Sequence, residues 1–350
     1  MRRRTLLALI SLMLAGCGGG LLPATQVLPT ASPPERSTVR IGSVALNAFI
    51  QLPLALAHQF GYFSAAGVDV QLIDYPNGNA ALSALGRGEV DVVSIPYEFT
   101  IRAQMTGTAV RMVALYDLRP GLVLSVGKPH ADAVRSMKDL VGKPVCVTAV
   151  ATASEGFVRW LASREGIDPA SIPIRSCGIA SERYAAGLAS GEFWAAQQVD
   201  PPFTRLERAG TAKLLYDTRS ERTASQVYGG RGVYPANGLI APRDFLQKYP
   251  NTVSALVAAL VKALRYIHSH TAKQVAADMP SSFKEGDPEL YASSLSANVG
   301  MFSSDGIVPA DGPPKVLQVL QLILPGLSAS QIDIAQTYDN TFVRKANGGG

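Results

Sequence analysis

From residue 39 onward, short β-branched runs alternate with stretches of helical apolar spacing, which restricts the chain to successive βαβ units on parallel-rich sheets. Strands are expected at 39–44, 68–73, 90–95 and 110–115, with helices at 52–60, 79–86 and 98–105 between them. After the polar stretch 128–143 the pattern restarts, with strands at 145–148, 172–176, 195–199 and 213–216 and helices at 154–165, 182–190 and 203–209. Two further apolar runs, 122–126 and 238–241, flank the second module, so the chain is expected to cross between modules and return. Such a double crossing makes a hinge, and open α/β sheets take ligands beyond the carboxyl ends of their strands. Beyond 241 the chain turns helical, with a long amphipathic segment at 253–268 and shorter helices to 343. The expected fold class is α/β: lobe 1 from 38–121 plus 243–346, and lobe 2 from 122–242 including both hinge strands.

The N-terminus carries a different signal. Arg2, Arg3 and Arg4 precede an apolar run to Leu14, and Ala15-Gly16-Cys17 follows. A basic start, a short apolar stretch and small residues before a cut describe a secretory signal, too short to span a bilayer. A cysteine at this position resembles a bacterial lipoprotein processing site. Residues 1–16 are therefore expected to be a signal peptide, with Cys17 becoming the acylated, palmitate-bearing N-terminus. Residues 17–37, rich in Gly, Pro, Ser and Thr, read as a tether that could extend up to about 60 Å at roughly 3 Å per residue. The expected location is extracytoplasmic, anchored by lipid to a cell membrane or a periplasmic face.

Of the formal charge of +5, Arg2, Arg3 and Arg4 leave with the signal, so the remainder is near +2. With no long basic run and no aromatic-basic interleaving, a nucleic acid partner is not expected. Cys146 and Cys177 lie near the ends of the strand-like runs 145–147 and 172–177, where they either pair in an oxidising compartment or sit unpaired as small hydrophobes. No Gly-x-Ser-x-Gly elbow, Walker loop, Gly-x-Gly-x-x-Gly or paired-cysteine zinc signature is present after the signal. His268 and His270 would face different sides of a helix, and His58 and His130 stand alone, so no metal, cofactor or enzyme activity is expected.

The strands are followed by Ala45-Leu46-Asn47, Asn77-Gly78-Asn79, Pro96-Tyr97-Glu98, the stretch Thr148 to Ser154, and Asp200-Pro201-Pro202. Most are helix starts, with Asn79, Ser154 and Ser181 as N-cap types. Helix starts converging on one cleft present unpaired N–H groups to a ligand, although each capping residue is also explained by its own helix. Tyr97, Tyr116, Tyr184, Tyr228 and Tyr234 either stack on a planar ligand or belong to the core. Asp200 either accepts from an amine or caps the helix after it.

In order and spacing, several short segments resemble ABC-transporter substrate-binding proteins of the nitrate, sulfonate, taurine and thiamine-precursor group. They are Pro53-Leu54-Ala55-Leu56-Ala57 leading to Gly61-Tyr62-Phe63, Gly67-Val68-Asp69-Val70, and Ala84-Leu85-Gly86-Arg87-Gly88-Glu89-Val90-Asp91. Leu140-Val141-Gly142-Lys143, Asp200-Pro201-Pro202, Tyr249-Pro250-Asn251-Thr252-Val253, Asp305-Gly306 and Thr337-Tyr338-Asp339-Asn340-Thr341-Phe342 continue the match. The resemblance implies a type II periplasmic-binding fold and a monomer that captures a small polar or planar molecule between its lobes. It also implies delivery to an ABC permease driven by its ATPase. Carried over position by position, it implies ligand contacts from Asn47, Asn79, Tyr97, Thr148, Thr152, Ser154 and Asp200. Thr148-Ala149-Val150-Ala151-Thr152 lacks the glycine- and serine-rich turn of many anion-binding members, which argues against a bare oxyanion. A related branch makes a pyrimidine precursor enzymatically, but its cysteine cluster is missing here. A tethered sensor that shows its closed form to a membrane receptor is the alternative role.

Overall fold

The computed structural model describes residues 32–178, 181–284 and 286–349, so the expected signal peptide and Cys17 lie outside the described residues. The strands are β1 (Thr38–Val44), β2 (Asp69–Tyr75), β3 (Val92–Pro96), β4 (Val110–Leu115), β5 (Val123–Gly127), β6 (Val145–Val147), β7 (Ile174–Ser176), β8 (Ala195–Gln198), β9 (Ala212–Asp217) and β10 (Asn237–Pro242). The helices of the first half are α1 (Leu52–Gln59), α2 (Tyr62–Ala65), α3 (Gly78–Gly86), α4 (Glu98–Met105), α5 (Ala153–Arg164), α6 (Ser181–Ser190) and α7 (Pro202–Arg208). Those of the second half are α8 (Glu221–Tyr228), α9 (Arg243–Lys248), α10 (Pro250–Ser269), α11 (Ala272–Asp278), α12 (Pro288–Asn298), α13 (Pro313–Gln321) and α14 (Thr341–Ala346).

Among the described residues there are two five-stranded sheets, ordered β2-β1-β3-β10-β4 and β7-β6-β8-β5-β9. In the first, β2, β1 and β3 run parallel while β10 is antiparallel to both of its neighbours. In the second, β7, β6 and β8 run parallel and β5 is the antiparallel member. The parallel-rich expectation holds, but the hinge assignment is corrected. The run around 238–241, expected to belong to lobe 2, sits inside the sheet of lobe 1 between β3 and β4. Gly238 makes that insertion possible, because a Cβ there would lie 2.3 Å from the Ala114 carbonyl oxygen. The chain therefore crosses just before β5 and just before β10, and each incoming strand completes the sheet it enters.

Central strands bury both faces, as β3 does along Val92, Val93, Ser94 and Ile95, which is why these runs are apolar without alternation. One apolar cluster joins Val93, Ile95 and Met112 of lobe 1 to Val145, Phe157 and Leu161 of lobe 2 through Val316 and Leu320 of α13. A second packs α1 and α10 on the other face of the first sheet, with Leu54, Leu56, Leu256 and Leu260 at its centre. A smaller third cluster under α6 and α7 includes Cys146, Tyr184 and Phe193.

Two local findings differ from the sequence reading. The stretch before Gly229 forms α8, started by a capping box in which the Ser220 side chain accepts from the Thr223 N–H. Glu35 and Arg36, assigned by composition to the tether, are bound to the body. Glu35 accepts from the Asn251 and Thr252 N–H groups at 2.9 and 2.8 Å and so caps α10, while Arg36 donates to Asp91 at 2.9 Å. Asp91 also takes the Arg40 backbone N–H and guanidinium, which pins the start of β1 to the strand beside it.

Cys146 and Cys177 are bonded, with Cα atoms 6.0 Å apart, at the end of the β6–β7 pair. The bridge closes a loop of 31 residues, which on chain-entropy grounds is worth about 3 to 4 kcal/mol. Replacing both cysteines with alanine is expected to lower the melting temperature by several degrees, and adding reductant to the native protein should reproduce the loss in a thermal melt.

Candidate functional site

The carboxyl ends of the parallel strands in both lobes meet where the chain crosses. On lobe 1 this edge is formed by Pro96, Tyr97, Glu98, Tyr116 and Asp117, knitted together by backbone bonds to the entry of β10. Tyr97 N–H donates to Ala236 O at 2.5 Å, Tyr116 N–H to Asn237 O at 2.8 Å, and Ala236 N–H to Asp117 O at 2.9 Å. Beneath it lies a buried polar floor. Gln51 donates to Val44 O and Ser94 O, and the Ser94 hydroxyl donates to Gln51 Oε1 at 2.6 Å. On lobe 2 the edge is formed by Thr148, Gln197, Gln198, Asp200 and Asp217. There the Thr148 N–H donates to Ser154 Oγ at 2.9 Å, and Ser154 Oγ in turn bonds Gln197 Oε1.

The expected ligand residues divide into two groups. Asn47 and Asn79 are exposed, and Thr148 and Thr152 are half-buried. Asn79 is not a cap: Asn77 accepts from the Ala80 N–H at 3.0 Å, and Asn79 follows in the first turn of α3. Likewise α5 is capped by Thr152, not by Ser154, which is buried under the loop. Tyr97 is fully buried, and its hydroxyl bonds Thr337. Asp200 is also buried, with both oxygens used inside the protein. One caps α7 by accepting from the Thr204 N–H and Oγ1 at 2.9 and 2.7 Å. The other takes Arg219 Nη1 at 2.8 Å and Asn298 Nδ2 at 2.7 Å. Of the two readings of Asp200, the structure shows the cap, and it adds a buried ion pair. The tyrosines behave alike: Tyr97, Tyr116, Tyr184, Tyr228 and Tyr234 are all buried, and Tyr228 stacks on Tyr234 at 4.7 Å.

What the sequence did not single out is a set of buried polar atoms without a protein partner. Glu98 Oε2, Arg102 Nε, both Asp117 carboxylate oxygens, Gln198 Nε2, Tyr234 OH and Asn237 Oδ1 are among them. Asp117, Gln198 and Asn237 lie at or just beyond strand ends, Glu98 starts α4 with Arg102 one turn further along it, and Tyr234 is on the segment entering β10. A carboxylate directly after a buried strand was the available signal for Asp117. Burial raises the Asp117 carboxyl well above its usual range, and the nearby Asn237 backbone offsets only part of that cost. Glu98 is raised too, first by burial, against the opposing pull of Arg102 and the Ala153 N–H. Buried atoms of this kind cost stability unless something binds them, so their clustering marks a site.

A separate open pocket of about 490 Å³ lies by the amino end of β4, lined by Arg111, Asp339, Asn340, Thr341 and Arg344. Arg111 is already engaged there by Asp339 at 3.7 Å and by Gln336, and the pocket contains none of the unpartnered buried atoms. We take it as surface relief. No group of three or more His, Cys, Asp or Glu among the described residues could hold a metal ion, and no described helix is long and apolar enough to cross a membrane.

The model of the NMT1-like family matches residues 32–281. The chain belongs to the NMT1-like family. A solved structure from Bordetella bronchiseptica RB50 is 30% identical and superposes with a TM-score of 0.80, covering 90% of this chain and 98% of that one. The periplasmic aliphatic sulphonate binding protein SsuA from Escherichia coli, at 18% identity and a TM-score of 0.68, covers 87% and 97% respectively, so the two share a periplasmic-binding-protein fold. A curated relative is the putative binding protein YtlA of Bacillus subtilis (strain 168), 21% identical over 261 residues, 73% of this chain and 74% of YtlA.

Two outcomes follow from the site geometry. Asp200→Ala leaves Arg219 buried with Asp217 as its remaining acid and should cost roughly 3 kcal/mol in denaturant unfolding, a stability defect first and a binding defect second. Asp117→Asn keeps the shape but removes a carboxyl whose folded pKa is raised. That group contributes fully below its unfolded value of about 3.9 and loses stability as pH rises through the folded one. The variant is therefore expected to melt above the wild type at pH 8, with the gap closing towards pH 4.

Proposed function

We propose that the chain is the solute-binding component of an ABC importer, working outside the cytoplasm as a monomer and held to a membrane by a lipid on Cys17. A small polar or planar organic molecule enters between the lobes, bonds groups on both, and shifts the population towards the form in which the lobes touch. The closed form then docks on the permease. The observation that carries this reading is the convergence of partnerless buried polar atoms at the strand ends of two lobes linked by a double crossing. The E. coli neighbour binds aliphatic sulphonates, and the curated relative is a putative binding protein, which supports solute capture over catalysis.

Within the expected set, we assign direct ligand contact to the accessible side chains Asn47, Asn79, Thr148 and Thr152, joined by Gln198, Tyr234 and Asn237. Tyr97, Ser154 and Asp200 support the walls. Lobe 1 comprises 38–121 with the returning strand and the C-terminal helices, and lobe 2 runs from β5 to the second crossing. Only ligand-bridged closure gains from contacts on both sides, because a ligand shifts an equilibrium solely through its differential affinity for the two states.

A thermal-shift screen of sulfonates, pyrimidines, aromatic carboxylates and amines tests the reading. A true ligand at a hundredfold excess over its Kd should add about 2.7 kcal/mol to stability. It should also reduce the radius of gyration in small-angle scattering. A set in which no compound stabilises the protein, or a stabilising compound that leaves the scattering unchanged, would sink solute capture by closure.

A further inference from the structure

Helix α13 follows the second crossing and belongs with lobe 1, yet it lies along α5 of lobe 2. Its start is set against the segment entering β10, since a Cβ on Gly312 would lie 2.4 Å from Pro235 Cδ. Past its end the chain returns to α4 of lobe 1, where the Asp333 N–H donates to Gln104 Oε1 at 3.0 Å and Gln104 Nε2 donates to Asp333 O at 2.9 Å. Between these two attachments the helix meets the other lobe. Lys315 Nζ stands 4 residues before Val319 and lies 5.1 Å from the centre of the Trp160 ring, while Val316 and Leu320 join Phe157 and Leu161 in one apolar cluster. Val319 meets α5 at Gly156, where a Cβ would lie 2.7 Å from Val319 Cγ1 and 3.5 Å from Ile323 Cδ1. Gly156 and Trp160 are one turn apart, as are Lys315 and Val319, so the two helices run antiparallel with facing rows in contact. Near the Gly156 end, Arg102 of α4 donates from Nη2 to Ala151 O at 2.6 Å, a second bond from lobe 1 to lobe 2.

Lobe 1 also reaches lobe 2 through Asn298 of α12, which donates to Asp200 Oδ2 at 2.7 Å. That contact sits beside the first crossing: Gly300 O accepts from Arg119, and a Cβ on Gly121 would lie 2.9 Å from Met301 Sδ. A contact next to a crossing moves little when the lobes rotate about it. The α13 contact instead runs from the second crossing out to the beginning of α5, at the edge of the cleft, where a small rotation already parts Gly156 from Val319. We propose that α13 is a clasp that holds the lobes closed before any solute arrives, and that Gly156 is the residue that lets it seat. Any side chain at 156 would occupy the space of the Val319 methyl, so the close approach depends on glycine there. This goes beyond solute capture by naming what sets the balance between open and closed forms without a ligand. Because the clasp favours the same form that a bridging solute favours, loosening it also weakens apparent solute affinity.

The test is made on the full chain without ligand, by small-angle scattering and by acrylamide quenching of Trp160. The chain has two tryptophans, so Trp194→Phe leaves Trp160 as the sole reporter. Gly156→Ala should enlarge the radius of gyration and raise the quenching constant, since one added methyl in a filled contact shifts an equilibrium by about fivefold or more. Alanine is otherwise the better helix former, so the substitution by itself favours α5. Adding Val319→Ala to Gly156→Ala removes the clash and should return both readouts towards the wild type. Lys315→Glu, which adds no bulk and replaces the cation over the Trp160 ring, serves where Gly156→Ala does not fold and should raise the quenching constant. The inference is overturned if Gly156→Ala and Lys315→Glu scatter and quench as the wild type does, or if Val319→Ala fails to reverse the effect of Gly156→Ala. None of these measurements needs a solute. A failed compound screen with opening in Gly156→Ala would therefore remove solute capture while leaving the clasp, and a stabilising compound with unmoved variants would do the opposite.

Discussion

Each sheet is completed by the strand that brings the chain in from the other lobe. β5 enters as the antiparallel member beside β8 and β9, and β10 does the same between β3 and β4. Lobe 2 builds its sheet from the consecutive strands β5 to β9, whereas lobe 1 completes its sheet only when β10 returns, so formation of lobe 1 and the second crossing are one event. The crossings are thereby held at both ends by full ladders of backbone hydrogen bonds, and the freedom between lobes is confined to the short segments between those ladders. The strand ends on either side of the crossings face one another for the same reason.

That arrangement concentrates buried polar groups at the junction. Asp200 shows how they are normally satisfied: four donors, from Thr204, Arg219 and Asn298, surround one carboxylate. Asp117, a short way along the chain from the same junction, has none that meets hydrogen-bond geometry. A chain selected only for stability would replace such a residue, whereas a chain that must bind something retains the cost. The contrast between the two aspartates separates framework from site more sharply than burial alone, since both are nearly inaccessible.

The element order was legible because βαβ units leave a strong pattern: β-branched runs such as 92–96 are too short for helices and too apolar for loops. Most strand limits agree within two residues. What the pattern did not carry was sheet membership, since the run at 237–242 looks the same whichever lobe receives it; pairing is a tertiary fact. The stretch 221–228 escaped because Glu221, Arg222, Ser225 and Gln226 dilute its apolar spacing, leaving Ala224, Val227 and Tyr228 to mark the buried face. At the site, residue type suggested Asp200 and Tyr97 as ligand contacts, yet both find their partners inside the protein. The same chemistry that suits a carboxylate to a ligand amine suits it to Arg219, and only geometry distinguishes the two. Glu98 was visible as a carboxylate after a strand, but its near-complete burial was not.

The bonds made by Glu35 and Arg36 also determine how the body bears load. Glu35 grips the start of α10, and Arg36 reaches Asp91 beside the entry of β1. Because β1 has seven residues, this attachment lies about 23 Å from the strand's carboxyl end. A pull on the N-terminal segment is therefore transmitted into the rigid sheet and long helix of lobe 1, along a path that bypasses both crossings. Both attachment points belong to lobe 1, so the leading segment grips the lobe that holds the long helix and, among the described residues, leaves lobe 2 without a direct bond to it.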